Sequence, residues 1–139
     1  MPEHTPWEPG AWVAERYVVE AVLGRGAFGC VYRVQDLELG ETVALKSLGD
    51  LDGDSEAAER FRREVRLARR VSHPNVVRTY DLGADGGVRF VTMEYVDGGT
   101  LRGLLRARGA LPPGEAVAVT RQVARGLAAA HEAGVVHPT

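Results

Sequence analysis

Apolar residues alternate with polar ones, or form short apolar runs, in two separate parts of the chain, and this pattern predicts β-strands. The segments are rich in β-branched and aromatic residues and are bounded by turns that contain glycine. Five strands are expected, over residues 17–23, 31–34, 42–48, 75–80 and 88–93. The turns between them fall at 24–29, 39–41 and 83–87.

The spacing of apolar residues becomes helical in three other segments. Ser55 can cap a helix that is expected to reach about Val71, with Glu56 and Glu59 in its first turn. The residues that share one face of this helix are Phe61, Glu64, Val65, Ala68 and Val71. After residue 99 the strand pattern stops, and helices are expected over 100–108 and from 112 to about 133.

Composition adds limits to this picture. The chain has 139 residues, 45% hydrophobic and 26% charged, with a net charge of −2, which is ordinary for a globular domain. A single cysteine excludes an intrachain disulfide framework. No run of 18 apolar residues is present, so we expect no membrane-spanning segment in this chain. The polar, proline-rich residues 1–12 are expected to be a flexible tail without a secretion signal, and the protein to be cytoplasmic.

Basic residues are almost all arginine, which makes the one exception informative. Lys46 is the only lysine among 17 basic residues, and it follows the apolar run Val43-Ala44-Leu45. A compact ammonium cannot be exchanged freely for a guanidinium fork. The position therefore favours a point charge that binds a phosphate, against the alternative of a lysine retained by chance on a strand surface.

The segment Gly24 to Gly29 fits the pattern G-x-G-x-x-G, which two folds use to approach phosphates with the backbone. In a dinucleotide-binding fold a helix follows the glycines. Here residues 30–34 are poor helix material, which favours a strand–loop–strand flap. A plain hairpin turn and a dinucleotide site stay open as alternatives.

Glu64 is expected to point inward on its helix, between Phe61 and Ala68. A buried carboxylate without a partner would lose hydration or bind a proton. An ion pair with Lys46 would remove both costs. The alternative is a surface pair of Glu64 with Arg60.

Together these residues resemble the eukaryotic-type serine/threonine protein kinases of bacteria. The similarity runs from residue 17 to residue 137, in order and with matching spacing. The matching motifs are Leu23-Gly24-x-Gly26-x-Phe28-Gly29-x-Val31, Val43-Ala44-Leu45-Lys46, Glu64, His73-Pro74-Asn75, Met93 to Leu101, and Ala124 to His131. The resemblance implies an α+β fold: a kinase N-lobe over 13–96, with a five-stranded antiparallel sheet and one helix, and the first two helices of an incomplete C-lobe over 97–139.

The resemblance also implies an ATP site and the role of each residue in it. Leu23, Val31 and Ala44 would sandwich the adenine, beside Met93 as gatekeeper. The carbonyl of Glu94 and the N–H of Val96 would bind the adenine edge. Lys46, oriented by Glu64, would hold the phosphates, under the flap formed by Gly24, Gly26, Phe28 and Gly29.

The last residues depart from the family pattern. Where the family has His-Arg-Asp, this chain reads His137-Pro138-Thr139. Without the catalytic Asp and the metal ligands that follow it, we expect the chain alone to be catalytically incomplete, with Mg²⁺ held only through ATP. A truncated or frameshifted kinase, or a fragment of one, is the expected origin of this ending.

The expected binding partners are inferred from the apolar residues of the C-terminal helices and from the charge pattern of residues 60–70. The C-terminal helices carry apolar side chains that would lack partners and would mark a protein interface. These are Leu101, Leu104, Leu105, Val117, Val123 and Leu127. Nucleic acid is not expected, since glutamates interleave the arginines of residues 60–70. The alternative function is a non-catalytic interaction module that resembles a pseudokinase.

Overall fold

A computed structural model describes residues 6–26, 29–48 and 56–135 of the chain. The strands are β1 (Trp12–Val13), β2 (Tyr17–Gly26), β3 (Gly29–Asp36), β4 (Glu41–Leu48), β5 (Thr79–Asp85) and β6 (Val88–Glu94). The helices are α1 (Glu56–Ala68), α2 (Leu101–Arg108) and α3 (Pro113–Glu132). Four of the five predicted strands are confirmed in place. The strand expected over residues 75–80 lies instead over Thr79–Asp85, and β1 is an addition to the predicted five.

The strands form one antiparallel sheet in the order β1-β2-β3-β4-β6-β5. Tyr32 pairs with Leu45, and Leu45 pairs with Thr92 on the next strand, so these side chains share one face of the sheet. All three are at most 1% exposed. This face is the hydrophobic core, to which Val13, Tyr17, Val19, Val34 and Phe90 also belong.

The N-terminal residues pack on this core face, and the expectation of a flexible tail over 1–12 is wrong for residues 7–12. The Trp7 ring lies edge-on to Tyr32 at 5.6 Å and to Phe90 at 6.1 Å. The backbone of Ala11 accepts a hydrogen bond from Val19 at 2.9 Å. Proline prevents a long strand here, but aromatic packing fixes the segment without one. Residues 1–5 lie outside the described residues.

An ion pair with a buried carboxylate holds the end of the β2–β3 hairpin next to β1. The guanidinium of Arg16 donates to both carboxylate oxygens of Asp36, at 2.8 and 3.0 Å. Asp36 also accepts the backbone N–H groups of Glu38 and Leu39. The hydrogen bond from Arg16 is the largest influence that lowers the pKa of Asp36. The pair was not anticipated, because its two partners lie 20 residues apart.

The helices occupy the predicted segments with altered ends. Helix α1 ends at Ala68, three residues before the predicted end at Val71, and β5 begins at Thr79 rather than at residue 75. Thr100 caps α2 by accepting the N–H of Gly103 at 3.0 Å. Helix α3 ends as predicted, at a Gly134 with positive φ.

Helix α3 approaches the loop before β5 very closely. Asn75 donates from its side-chain nitrogen to the carbonyl of Gln122 at 3.1 Å. A Cβ on Gly126 would lie 2.8 Å from the carbonyl oxygen of Asn75, so only glycine fits there. Gly126 is the only buried residue of α3. The exposed apolar side chains expected on the two C-terminal helices are confirmed, at 38–55% exposure.

Candidate functional site

The glycine-rich segment forms the tip of the β2–β3 hairpin. Gly24 pairs with Val31, Arg25 with Cys30, and Gly26 with Gly29. A strand therefore follows the glycines, and the dinucleotide alternative, which needs a helix there, is wrong. Ala27 and the proposed site residue Phe28 lie outside the described residues.

The three described glycines of this segment have different physical reasons to be glycine. Gly29 has a φ of +128°, and a Cβ there would overlap the carbonyl oxygen of Ser47. Gly24 and Gly26 face open space, with nothing within 4 Å of a built Cβ. Gly29 is thus required by the fold, whereas Gly24 and Gly26 leave room for a ligand to approach the backbone.

Strand register places most of the proposed site residues on a single face. Lys46 pairs with Val31 on one side and Val91 on the other, and Ala44 pairs with Met93. Their side chains point away from the core face, because successive residues of a strand alternate. The sheet thus brings Val31, Ala44, Lys46 and Met93 onto one face.

Leu23 lies at the margin of this group. A register shift between Val22 and Gly24 leaves Leu23 at a bulge, and its side chain is 46% exposed. A bulge bends the strand and redirects the side chain there. At the other margin, the backbone of Glu94 donates to the carbonyl of Arg78 at 2.8 Å, while Val96 is exposed.

The expected ion pair between Lys46 and Glu64 is not formed in the structure. Lys46 is half-buried, but Glu64 is exposed, and no contact within 4.0 Å joins them in the described part of the chain. The expectation that Glu64 points inward is wrong. Helix α1 buries Ala58 and Val65 instead, and one residue along a helix turns the side chain by about 100°.

Arg33 joins the site face without having been singled out from the sequence. It pairs with Ala44 across the strands and donates to the carboxylate of Glu20 at 3.0 Å. A hydrogen bond with Tyr95, followed in size by the one with Glu20, raises the pKa of Arg33. The cross-strand charge pair could have been found by aligning the two predicted strands on the hairpin.

Neither a metal-binding cluster nor a membrane-spanning helix is found in the described part of the chain. Over residues 6–26, 29–48 and 56–135, no group of three or more His, Cys, Asp and Glu side chains is arranged to hold a metal ion. None of the helices described there is long and apolar enough to cross a bilayer.

The chain matches the family described as protein kinase domain, over residues 17–138. It is 45% identical, over 128 residues, to the serine/threonine-protein kinase PknL of Mycobacterium tuberculosis, and this match covers 91% of this chain and 32% of PknL. It is 39% identical to the serine/threonine-protein kinase PrkC of Bacillus subtilis, covering 92% of this chain and 20% of PrkC. The chain therefore spans a third or less of the length of these relatives.

Solved structures give the same result for the fold. The crystal structure of the Mycobacterium tuberculosis PknI kinase domain superposes with a TM-score of 0.81 at 35% identity. The match covers 94% of this chain and 53% of the PknI chain. The predicted α+β fold with an antiparallel sheet is confirmed, and the chain spans about half of that kinase domain.

Proposed function

Since the chain belongs to the protein kinase domain family, we propose that it supplies the nucleotide-binding part of a serine/threonine protein kinase domain. The whole domain would transfer the terminal phosphoryl group of ATP to protein serine or threonine. This chain would bind ATP on the sheet face that carries Val31, Ala44, Lys46 and Met93.

The observation that carries this proposal is the register of three strands. It sets the half-buried ammonium of Lys46 on the same face as Val31, Ala44 and Met93, beside the open glycine hairpin. An apolar surface next to a cation matches a purine base next to its phosphates. The glycine backbone adds N–H groups that can approach phosphate oxygens closely.

ATP is bound by kinases with Mg²⁺, which neutralises charge on the phosphates. The described residues include no group of three or more His, Cys, Asp and Glu side chains placed to hold a metal, so Mg²⁺ would be held by the nucleotide's own phosphate oxygens. Lys46 would then contribute a fixed positive charge, and the apolar face would orient the base. Glu64 is retained as a supporting residue only in a state where α1 has turned it toward Lys46.

Transfer by the 139-residue polypeptide is not expected. Pro138 and Thr139 stand where the family has Arg and the catalytic Asp, so no carboxylate is present there to accept the substrate hydroxyl proton. We expect ATP binding without phosphorylation of added protein substrate. Phosphoryl transfer that depends on Lys46 would contradict this expectation.

Thermal unfolding with and without Mg-ATP tests the proposed function. Ligand at 100 times its dissociation constant stabilises a folded protein by about 2.7 kcal/mol. We expect ATP to raise the unfolding temperature of the wild type, and Lys46→Met to remove that rise. Arg121→Met removes an exposed cation of α3 and should keep it. Lys46→Arg should also lose most of the ATP-induced rise, because a guanidinium does not fit the place of an ammonium.

A non-catalytic interaction module is the second candidate, and one observation favours it. Every residue of α2 is exposed, including Leu101, Leu104 and Leu105. A contiguous apolar patch of this kind is typical of a surface that another polypeptide covers. If millimolar ATP leaves the unfolding temperature of the wild type unchanged, this second function is favoured over nucleotide binding.

A further inference from the structure

Arg33 lies on the sheet face of the proposed nucleotide site, one cross-strand row away from Lys46. It pairs with Ala44 of β4, and Ala44 pairs with Met93 of β6, so these three residues form one row. Lys46 lies two residues further along β4, on the same face. Because Arg33 borders the surface on which the base would lie, its partners decide what it can do there.

A carboxylate holds the Arg33 guanidinium on one side. The Arg33 Nε donates to Oε2 of Glu20 at 3.0 Å. The two side chains are 36% and 35% exposed, so the pair is partly shielded from water. An arginine engaged in this way is not a spare cation for a phosphate. It is instead a fixed group with further N–H donors, which can hold a second partner.

The second partner of Arg33 is the phenol of Tyr95. Tyr95 is half-buried and lies two residues after Met93, so an extended backbone keeps its side chain on the Met93 face. The hydrogen bond between Tyr95 and Arg33 is the largest of the influences that raise the pKa of Arg33. Glu20, Arg33 and Tyr95 therefore form one chain of polar contacts, from β2 across β3 to the segment that follows β6.

This segment has few other attachments to the sheet. The backbone N–H of Glu94 donates to the carbonyl of Arg78 at 2.8 Å, and the Glu94 carboxylate accepts the Arg78 N–H at 3.1 Å. Past Glu94, and counting only described residues, no backbone hydrogen bond joins residues 95–99 to a strand. A backbone without such bonds is mobile unless side chains fix it. Tyr95 is the first residue past the last of these bonds, which is where an anchor has most effect.

We propose that Arg33 is a positioning residue for the base: held by Glu20, it anchors Tyr95 and so fixes the backbone that follows β6. The inference rests on the proposed function, and on the expectation that the carbonyl of Glu94 and the N–H of Val96 bind the adenine edge. Arg33 itself touches neither the base nor the phosphates. Its contribution is preorganisation, because a segment already in its bound conformation loses less freedom when the ligand binds.

An anchored backbone also gives a reason for base selectivity. A carbonyl and an N–H side by side match adenine, whose amino group donates and whose ring nitrogen accepts. Guanine carries a carbonyl acceptor where adenine carries the amino group, so it would oppose the Glu94 carbonyl. A fixed backbone cannot turn to suit guanine, whereas a loosened one can. Loss of the anchor should therefore reduce the preference for ATP over GTP.

Calorimetric titration of the 139-residue chain tests the proposal, with Mg-ATP, Mg-GTP, adenosine and magnesium tripolyphosphate as ligands. Arg33→Met should weaken the binding of ATP and adenosine about threefold to fivefold, the value of a partly exposed polar contact. It should leave tripolyphosphate binding unchanged and lower the preference for ATP over GTP. Weaker tripolyphosphate binding in Arg33→Met would overturn the proposal, because Arg33 would then bind phosphate directly.

Matched variants show whether the effect passes through Tyr95. Tyr95→Phe removes only the phenol oxygen and should weaken ATP and adenosine about twofold to threefold. The double variant should lose no more than Arg33→Met alone, since both changes break one contact. Arg108→Met breaks an arginine pair with Glu115 of similar length, 3.1 Å, and should leave all four ligands unaffected. Additive losses in the double variant, or equal losses in Arg108→Met, would contradict the proposal.

A measurement without nucleotide separates this inference from the proposed function. The backbone amide order parameters of Tyr95 and Val96 should be near about 0.85 in the unliganded wild type and fall below about 0.6 in Arg33→Met and Tyr95→Phe. Unchanged order parameters would refute the anchor even if ATP binds. If they fall as expected but the wild type binds neither ATP nor adenosine, the proposed function is refuted together with the role toward the base, and the anchor itself stands.

Discussion

The sheet and helix α1 both carry residues of the proposed nucleotide site, but they hold them in different ways. On the sheet, Val31, Ala44 and Lys46 are fixed by hydrogen-bonded register to neighbouring strands. On α1, Glu64 is exposed, and only Ala58 and Val65 of the helix are buried. The sheet therefore presents its half of the site already assembled, whereas the helix does not.

The difference follows from how each element positions a side chain. A strand residue has two possible faces, and a pairing partner on each side decides between them. A helix can rotate about its axis, so its orientation depends on how a few apolar side chains pack. Two buried residues hold α1 less firmly than two strand neighbours hold β4, and a rotation of about 100° would exchange Val65 for Glu64.

The largest expected effect comes from comparing one core residue in each region. Leu45→Ala should lower the free energy of unfolding by about 2–5 kcal/mol, since Leu45 is 0% exposed and its removal leaves a cavity. Val65→Ala in α1 should cost about 1.5 kcal/mol, the value of two methyl groups. Urea unfolding measures both, with exposed Leu101→Ala as the control. Equal losses at the two sites would contradict the comparison.

The next effect concerns the glycine hairpin. Gly29→Ala should lower the free energy of unfolding by about 3 kcal/mol, because a φ of +128° and the Ser47 carbonyl both oppose a Cβ. Gly24→Ala faces open space and should change it by less than about 0.5 kcal/mol. Urea unfolding of the Gly29→Ala and Gly24→Ala variants measures both changes. Similar values for both would mean that the hairpin tip is not held as described.

An intermediate effect lies at the ion pair beside β1. Asp36→Asn should lower the free energy of unfolding near pH 7 by about 2 kcal/mol, since the carboxylate accepts charged hydrogen bonds from Arg16. The pKa of Asp36 is lowered from 3.8 in the folded state, so this contribution is complete above that value and is lost as the pH falls through the folded pKa.

The pH dependence separates this effect from a packing defect. The difference between wild type and Asp36→Asn, measured by urea unfolding from pH 7 down to pH 3, should shrink below about pH 4. A difference that stays constant over this range would mean that the lost stability does not come from the charge of Asp36.

The smallest expected effect is the most direct test of α1. Glu64→Ala should change the free energy of unfolding of the unliganded chain by less than about 0.5 kcal/mol, because Glu64 is exposed. Thermal unfolding is sufficient to measure it. A loss of about 3 kcal/mol would show that Glu64 is paired in solution, contrary to the structure.

Much of the fold could be predicted because the signals are local. The β-branched and aromatic residues of 31–34 and the segment 42–48, with a turn between them, predicted two strands, which the structure confirms. That Val31, Ala44 and Lys46 belong to one site was implied by the family resemblance and not by the strand pattern. The signal for the hairpin tip is local too, because all the glycines of the motif lie within six residues.

The features that could not be predicted from the sequence depend on contacts between residues that are distant in the chain. The packing of Trp7 on Tyr32 and Phe90 has no pattern within residues 1–12. Val76 and Val77 read as strand residues, but they line a cavity with Val123 of α3 instead. The orientation of Glu64 was missed because it sits at the edge of an apolar stripe, where a small rotation decides its exposure.

The central claim is that nucleotide binds on the Lys46 face of the sheet. Methyl NMR of the chain during titration with Mg-ATP tests it most directly, with the methyl signals of Val31, Ala44, Met93, Val43 and Leu45 as reporters. The account predicts that Val31, Ala44 and Met93 shift with saturation while Val43 and Leu45 on the core face move little, and that Lys46→Met removes the shifts. Shifts centred on Val43 and Leu45, or shifts unchanged in Lys46→Met, would contradict it.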